Sequence, residues 1–333
     1  MKAVFVHPSP DGGRLEPADA PDPHAGPGQV VIAIRAASVN RADLLIRRGT
    51  YDARGSGLPI GGLDCAGEIL EVGEGVTGLV PGDRVMSMAG GAYAERVAVD
   101  ARRPVPLPAG WSFAEGAASI TGLLTEHDAL TTGGGLRPGD AVVVHGAASG
   151  VGQQGVALAA RLGARTVVAV VRRDRPDARA LLEGLGASLV VAAGEEGRFA
   201  EAVQEATDGR GADLVVDHVG GPWLAETVRS LAPYGRVVNI GRLGGTTGEL
   251  DLGALAAKRA RIIGSTFRIR GEDEIAAVVA ALRADVGDAL AADELRARVD
   301  RTFALADAEA AQAHMAADGH LGKIVLEVGG PQR

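Results

Sequence analysis

The chain has 333 residues, of which 49 are glycine and 16 proline; it holds one cysteine, ten aromatic residues and a net charge of −8. Glycine stands at about twice its usual ~7% share, yet there is no Gly-X-Y period or Gly/Ser tract, which excludes collagen-like and low-complexity classes. The lone Cys65 cannot form an intrachain disulfide or a Cys-rich zinc site, and the acidic balance argues against a general nucleic-acid footprint. With no run of about 18 apolar residues and no signal-peptide pattern in MKAVFVHPSPDGG, the expectation is a cytoplasmic protein without membrane or nucleic-acid partners. The length suits two domains.

From Met1 to about Trp111 the apolar runs have strand length: AVFV (3–6), VVIAIRAASV (30–39), AGEILEVG (66–73) and DRVMSM (83–88). Gly- and Pro-rich turns separate them, which predicts a compact β-rich unit. NRADLLIRRGTY between them reads as one or two helical turns, a connector able to carry side chains into a cleft. From about Ala118 the pattern becomes strand then helix: AVVVH (141–145), TVVAVV (166–171), SLVVAA (188–193), DLVVDHV (213–219), GRVVNIG (235–241) and ARIIGSTF (260–267). Continuous β-branched runs alternating with helices predict a six-stranded parallel sheet of the doubly wound dinucleotide type. Beyond it, EDEIAAVVAALRADV and TFALADAEAAQAHMAA read as helices and KIVLEV as a last strand. The expected boundaries are 1–118 for the first part of the β-rich domain, 119–267 for the α/β domain and 268–333 for a return to the first.

The strongest motif is VVVHGAASGVGQQG. Gly150, Gly152 and Gly155 fit G-x-G-x-x-G directly after a strand and at the opening of a helix. With Ser149 and Val151 they form a candidate dinucleotide loop, where backbone and helix N-terminus meet a pyrophosphate. The end of the next strand selects the dinucleotide. An acidic residue there suits a ribose hydroxyl, whereas Val171-Arg172-Arg173 offers guanidinium groups to a 2′-phosphate, so NADP(H) is expected over NAD. The plainer alternative is a solvated turn in which Asp174 caps the helix starting near Pro176. Ligands in open α/β sheets lie beyond the carboxyl ends of the strands. That rule adds His218 and Val219 after the fourth strand, and Gly241, Arg242 and Leu243 after the fifth.

In VNRADLLIRRGTY (39–51), GLDCAGEILEVGEGVTGLVPGDRV (62–85), HGAASGVGQ (145–153), IGRLGG (240–245), DLGALAAKRARIIGSTFRIR (251–270) and HLGKIVLEV (320–328) the chain resembles the zinc-independent quinone oxidoreductases of the medium-chain dehydrogenase/reductase superfamily. The resemblance spans nearly the whole chain. It implies a GroES-like catalytic domain around a Rossmann domain, NADPH-dependent reduction of quinones and other conjugated carbonyls, and a homodimer. VVRRDRPDARALLEGLGA is also similar to a segment of the 2-enoyl thioester reductases, a sister NADPH-using family that places a tyrosine at the position of Tyr51 to assist protonation. The resemblance further implies Thr125, Phe267, Arg268 and Lys323 as residues near cofactor or substrate. The edge strand RIIGSTF is a candidate for pairing with its twin in the dimer.

Superfamily alcohol dehydrogenases bind catalytic zinc through a cysteine and a GHE histidine. Here Asn40 and Leu63 stand at those positions, and the seven histidines show no H-x-x-x-H spacing, so no metal is expected. Reduction of a conjugated carbonyl develops negative charge on oxygen, which needs a hydrogen-bond donor. Asn40 has an amide N–H₂ and Tyr51 a phenol, and Asp43 between them can orient Asn40 or a water; capping and packing are the plainer roles for all three. The leading expectation is a quinone or enone reductase. A 2-enoyl thioester reductase or biosynthetic tailoring enzyme is the alternative, and a non-catalytic NADPH-binding protein a third.

Overall fold

The computed structural model describes residues 1–50 and 60–329, and its chain contacts divide into two units, Met1–Thr121 with Phe267–Arg333, and Gly122–Thr266. The first unit opens with the antiparallel pair β1 (Lys2–His7) and β2 (Arg14–Asp19). It continues through β3 (Gln29–Val39), α1 (Arg41–Arg47), β4 (Asp64–Val72), β5 (Arg84–Met88), β6 (Arg96–Asp100) and β7 (Val105–Pro106). Helix α2 (Phe113–Asp128) starts in the first unit and ends in the second.

The second unit alternates strand and helix: β8 (Ala141–His145), α3 (Gly150–Arg161), β9 (Thr166–Val171), α4 (Pro176–Gly184), β10 (Leu189–Ala192) and α5 (Ala200–Ala206). It ends with β11 (Ala212–Asp217), α6 (Leu224–Ser230), β12 (Leu231–Asn239), α7 (Leu252–Lys258) and β13 (Arg261–Gly264). All neighbours in the sheet are parallel, in the order β10-β9-β8-β11-β12-β13. The strand order reverses beside β8, the topological switch point at which such sheets bind ligands. Val142, Val143 and Val144 are wholly buried, as are Val215 and Val216 next to them. At these central strands no side of the sheet faces water, so their runs are apolar throughout instead of alternating. Each such side chain stabilises the fold by about 1.5–3 kcal/mol.

The chain then returns to the first unit through α8 (Glu272–Ala291), β14 (Val299–Ala304), α9 (Ala308–Ala316) and β15 (Lys323–Glu327). The larger sheet there runs β14-β15-β3-β4-β5-β7, with β6 paired to β3. Its core gathers Val30, Ile32, Ile34, Ile69, Tyr93, Ile324 and Leu326. One sequence reading is corrected. TFALADAEAAQAHMAA is not one helix: Thr302, Phe303 and Ala304 belong to β14, and α9 starts only at Ala308. Alanine-rich helical composition hid a strand whose partner, β15, lies some twenty residues onward, and pairing with it decides the outcome. Strands β2, β7 and β14 carry too few apolar residues in alternation to stand out from their turns.

Candidate active site

In the second unit, β8 ends at His145 and the chain turns through Gly146, at φ +60°, into α3. Ser149 is the N-cap, its Oγ accepting from Gly152 N–H at 3.0 Å, and Gln153 Nε2 donates to Ala148 O at 2.9 Å. A Cβ on Gly152 would come within 2.5 Å of Gly146 O, so the loop closes on itself only with glycine there. This leaves the first N–H groups of a twelve-residue helix, with the positive end of its dipole, at the carboxyl edge of the central strand. Gly150, Val151 and Gly152 all lie in that first turn.

At the end of β9, Arg172 and Arg173 extend outward with side chains 45% and 70% exposed, and Glu195 lies 3.9 and 4.0 Å from them. Asp174 does not cap α4: the N-cap is Arg175, and Asp174 accepts from Arg179 at 3.1 Å. The pair is exposed, has Glu195 close to both guanidinium groups, and lies at the end of the strand beside the glycine loop.

His218, Val219, Gly241, Arg242 and Leu243 do lie at the carboxyl ends of β11 and β12, but the His218 side chain is committed elsewhere. Its Nε2 lies 2.6 Å from Oε1 of Glu126, a carboxylate with no exposure at all. Burial, the largest single influence, would lower the imidazole, but the charge and hydrogen bond of Glu126 together with the Asp217 charge exceed it, and the His218 pKa is raised. What His218 offers the crevice is backbone: its carbonyl accepts from Leu243 N–H at 3.2 Å. Leu243 itself is 53% exposed, and Arg242 donates to Ile240 O at 3.0 Å. Thr125 is half-buried on α2, one residue before Glu126.

In the first unit a buried polar cluster forms where three strands meet. Asn40 follows the last residue of β3, Asp64 opens β4 and Lys323 opens β15. The antiparallel order β15-β3-β4 brings these distant residues together. Lys323 Nζ donates to Asn40 Oδ1 at 2.6 Å, Asn40 Nδ2 donates to Asp64 Oδ2 at 3.0 Å, and Ser38 N–H and Oγ donate to Asp64 Oδ1 at 3.1 and 2.7 Å. Asn40 thus spans an ammonium and a carboxylate, and Ser38 O and Oγ, each 3.5 Å from Nδ2, are its further contacts. Lys323 is 3% exposed; burial lowers its pKa against the opposing pull of Asp64 and Asp43. Its charge therefore serves this cluster and not the molecular surface.

Asp43 Oδ2 accepts from Asn40 N–H at 2.7 Å, closing the first turn of α1. Burial pushes the Asp43 carboxyl up to about 7, and the Asp64 charge adds to the rise, against the opposing Asn40 bond. A carboxyl raised above its unfolded value stabilises the fold while protonated, and that contribution is lost as pH climbs from about 4 through about 7. Asp43→Asn is accordingly expected to gain stability over the native chain as pH rises, by on the order of 2–4 kcal/mol at pH 8 and little at pH 4. Urea unfolding at the two pH values checks this; a difference independent of pH refutes it.

Tyr51 lies outside the described residues. Phe267 is half-buried under the Arg270 guanidinium, 4.5 Å from its ring centre, and Arg268 is exposed. Among the described residues no group of three His, Cys, Asp or Glu is arranged to hold a metal ion. No described helix is long and apolar enough to cross a membrane. Asp64, Ser38, Glu126, His145, Asp217 and Asn239 escaped the sequence reading. The hints available were a carboxylate closing the strand VVD and an Asn closing VVN, each at a sheet end, where a polar residue has a reason to be.

A β-rich unit with a buried Lys-Asn-Asp cluster, and a parallel sheet with a glycine loop at its switch point, define a dehydrogenase-type oxidoreductase. Residues 26–109 match the alcohol dehydrogenase GroES-like domain and residues 150–283 the zinc-binding dehydrogenase family. A probable oxidoreductase from Mycobacterium abscessus is 32% identical with TM-score 0.81, covering 98% of each chain. A Pseudomonas syringae quinone oxidoreductase (29%, TM-score 0.83) covers 98% of this chain and 99% of its own. A mycobacterial protein solved in complex with NADPH (29%, TM-score 0.83) covers 98% of this chain and 100% of its own. The chain is also 34% identical over 316 residues to erythronolide synthase EryA2 of Saccharopolyspora erythraea, which is 95% of this chain and 8% of that protein. The chain belongs to the medium-chain dehydrogenase/reductase superfamily of oxidoreductases.

Proposed function

We propose that the chain transfers hydride from NADPH to a quinone or related conjugated carbonyl without a metal. The observation that carries the reading is the pairing of a self-closed glycine loop at the switch point with two exposed arginines on the adjacent strand end. The NADPH complex of the mycobacterial relative supports it. Bound there, NADPH supplies the hydride. The first turn of α3 would hold its pyrophosphate, and Arg172 and Arg173 its 2′-phosphate. Negative charge then develops on the substrate oxygen. Asn40, polarised between Lys323 and Asp64, and Tyr51 are the donors proposed to meet it, with Asp43 bracing Asn40. NADPH oxidation over para-quinones, ortho-quinones and simple enones tests the reading; tight NADPH binding with no turnover on any of them would instead favour a non-catalytic role.

The similarity of VVRRDRPDARALLEGLGA to the 2-enoyl thioester reductases supports a second reading, reduction of a 2-enoyl thioester such as crotonyl-CoA. Tyr51→Phe separates the two. On enoyl thioesters, loss of an essential proton donor is expected to lower kcat by about 10²–10⁴-fold, with a much smaller loss on quinones, where Asn40 remains as a hydrogen-bond donor and no protein acid is required. Equal rates for Tyr51→Phe and the native chain on every substrate refute the donor role. A homodimer formed through β13, the sheet edge where Ile262 is 40% exposed, belongs to the same proposal, as does a cytoplasmic location suited to the free thiol of Cys65.

A further inference from the structure

The ends of the three central strands of the parallel sheet are tied together by one carboxylate. Asp217 closes β11 and is 1% exposed. Its Oδ1 accepts from Nδ1 of His145, which closes β8, at 3.0 Å, and from the backbone N–H groups of Val219 and Gly220, both at 2.9 Å. Its Oδ2 accepts from Nδ2 of Asn239, which closes β12, at 2.9 Å, and that amide also donates to Gly241 O at 3.0 Å. Burial alone would raise the Asp217 carboxyl; the bonds from His145, Gly220 and Asn239 hold it well below the usual carboxylate range. Four donors on two oxygens fix its orientation.

The loops after β11 and β12 take their shape from this knot. Gly220 and Gly221 sit at φ +59° and +52°, and Gly220 forms a parallel bridge with Gly245. Gly244 N–H donates to Val219 O at 2.8 Å, while Ile240 and Gly241 N–H donate to Asp217 O at 2.9 and 3.1 Å. A side chain on Gly241 would collide with the His218 carbonyl. Loops 218–221 and 240–245 are therefore one piece, anchored at Asp217 and linked through His145 to the residue just before the glycine loop.

The sheet order gives that piece a role. Arg172 and Arg173 end β9, the glycine loop follows β8, and the knotted loops follow β11 and β12 on the far side. A dinucleotide with its 2′-phosphate at β9 and its pyrophosphate at β8 directs its nicotinamide end toward β11 and β12. We propose that Asp217 is a positioning residue for the nicotinamide half of the cofactor: it sets the two loops on which that half rests, and leaves the adenosine half to α3 and the arginines. The proposal rests on the reading of this crevice as an NADPH site.

Binding of the whole and of half the cofactor to the full chain tests it. NADPH carries both halves; adenosine 2′,5′-bisphosphate carries only the half assigned to Arg172 and Arg173. Asp217→Asn turns an acceptor into an N–H₂ that faces donors. Asn239→Ala removes one tie to Asp217 and Gly241 at a half-buried position, and it carries the test where Asp217→Asn fails to fold. In both variants the Kd for NADPH is expected to rise about tenfold or more, while that for adenosine 2′,5′-bisphosphate stays within about twofold. Equal weakening of the two ligands marks a general scaffold residue and overturns the proposal, as does no change in either. A native chain that binds neither ligand overturns the NADPH reading and the proposal with it, an outcome distinct from the other two.

Discussion

Lys323→Met is expected to destabilise the chain by about 3–5 kcal/mol, the scale of breaking a buried charge cluster by removing one partner. The Lys323 ammonium is the donor to Asn40 Oδ1 and lies 4.0 Å from Asp64 Oδ2, with both side chains 4% exposed or less. Without it, Asp64 keeps its Ser38 bonds but loses the opposing charge, and Asn40 Oδ1 loses its donor. Asp43 is pushed further toward its neutral form, since Lys323 is among the groups that hold its carboxyl down. A further rise in a folded carboxyl pKa removes stability as pH increases, so the deficit is expected to be larger at pH 8 than at pH 5. The double variant Lys323→Met/Asp64→Asn, which removes one charge of each sign, is expected to recover part of the loss. Chemical unfolding of the four chains gives the coupling; additivity of the two substitutions contradicts the cluster as described.

Arg172→Ala with Arg173→Ala is expected to lower kcat/KM for NADPH by about 10²-fold and to leave that for NADH nearly unchanged. Charge-assisted bonds to a phosphate contribute about 1.5–3 kcal/mol each, but these side chains are largely exposed and their gain is discounted for solvent screening. Glu195, near both guanidinium groups, supplies a finer check. Glu195→Gln removes a competitor for the arginines and is expected to tighten NADPH slightly. Faster turnover with NADH than with NADPH by the native chain refutes the assignment of the two arginines.

The dinucleotide unit was largely readable in advance because its signals are local. Six β-branched runs, the first five each followed by a helix of the same unit, stand out in sequence, and the buried central strands tolerate few polar residues. Thr302–Ala304 went unread as strand because its evidence lies in β15, with which it pairs. The candidate site divides the same way. The glycine loop and the Arg172-Arg173 pair are contiguous segments whose chemistry follows from residue type and place on a strand end. His218 was found by position, but its side chain turned out to serve Glu126.

By itself the amino-acid sequence determined the class of fold, the family and the glycine loop, because each is written in neighbouring residues. Only the tertiary structure decided which polar groups are spent on one another: Lys323 on Asn40, Asn40 on Asp64, Glu126 on His218, and Asp217 on three strand ends. Those pairings join residues far apart in the chain whose meeting depends on sheet order, and a buried ionic group is stable only where its partner arrives within hydrogen-bonding reach.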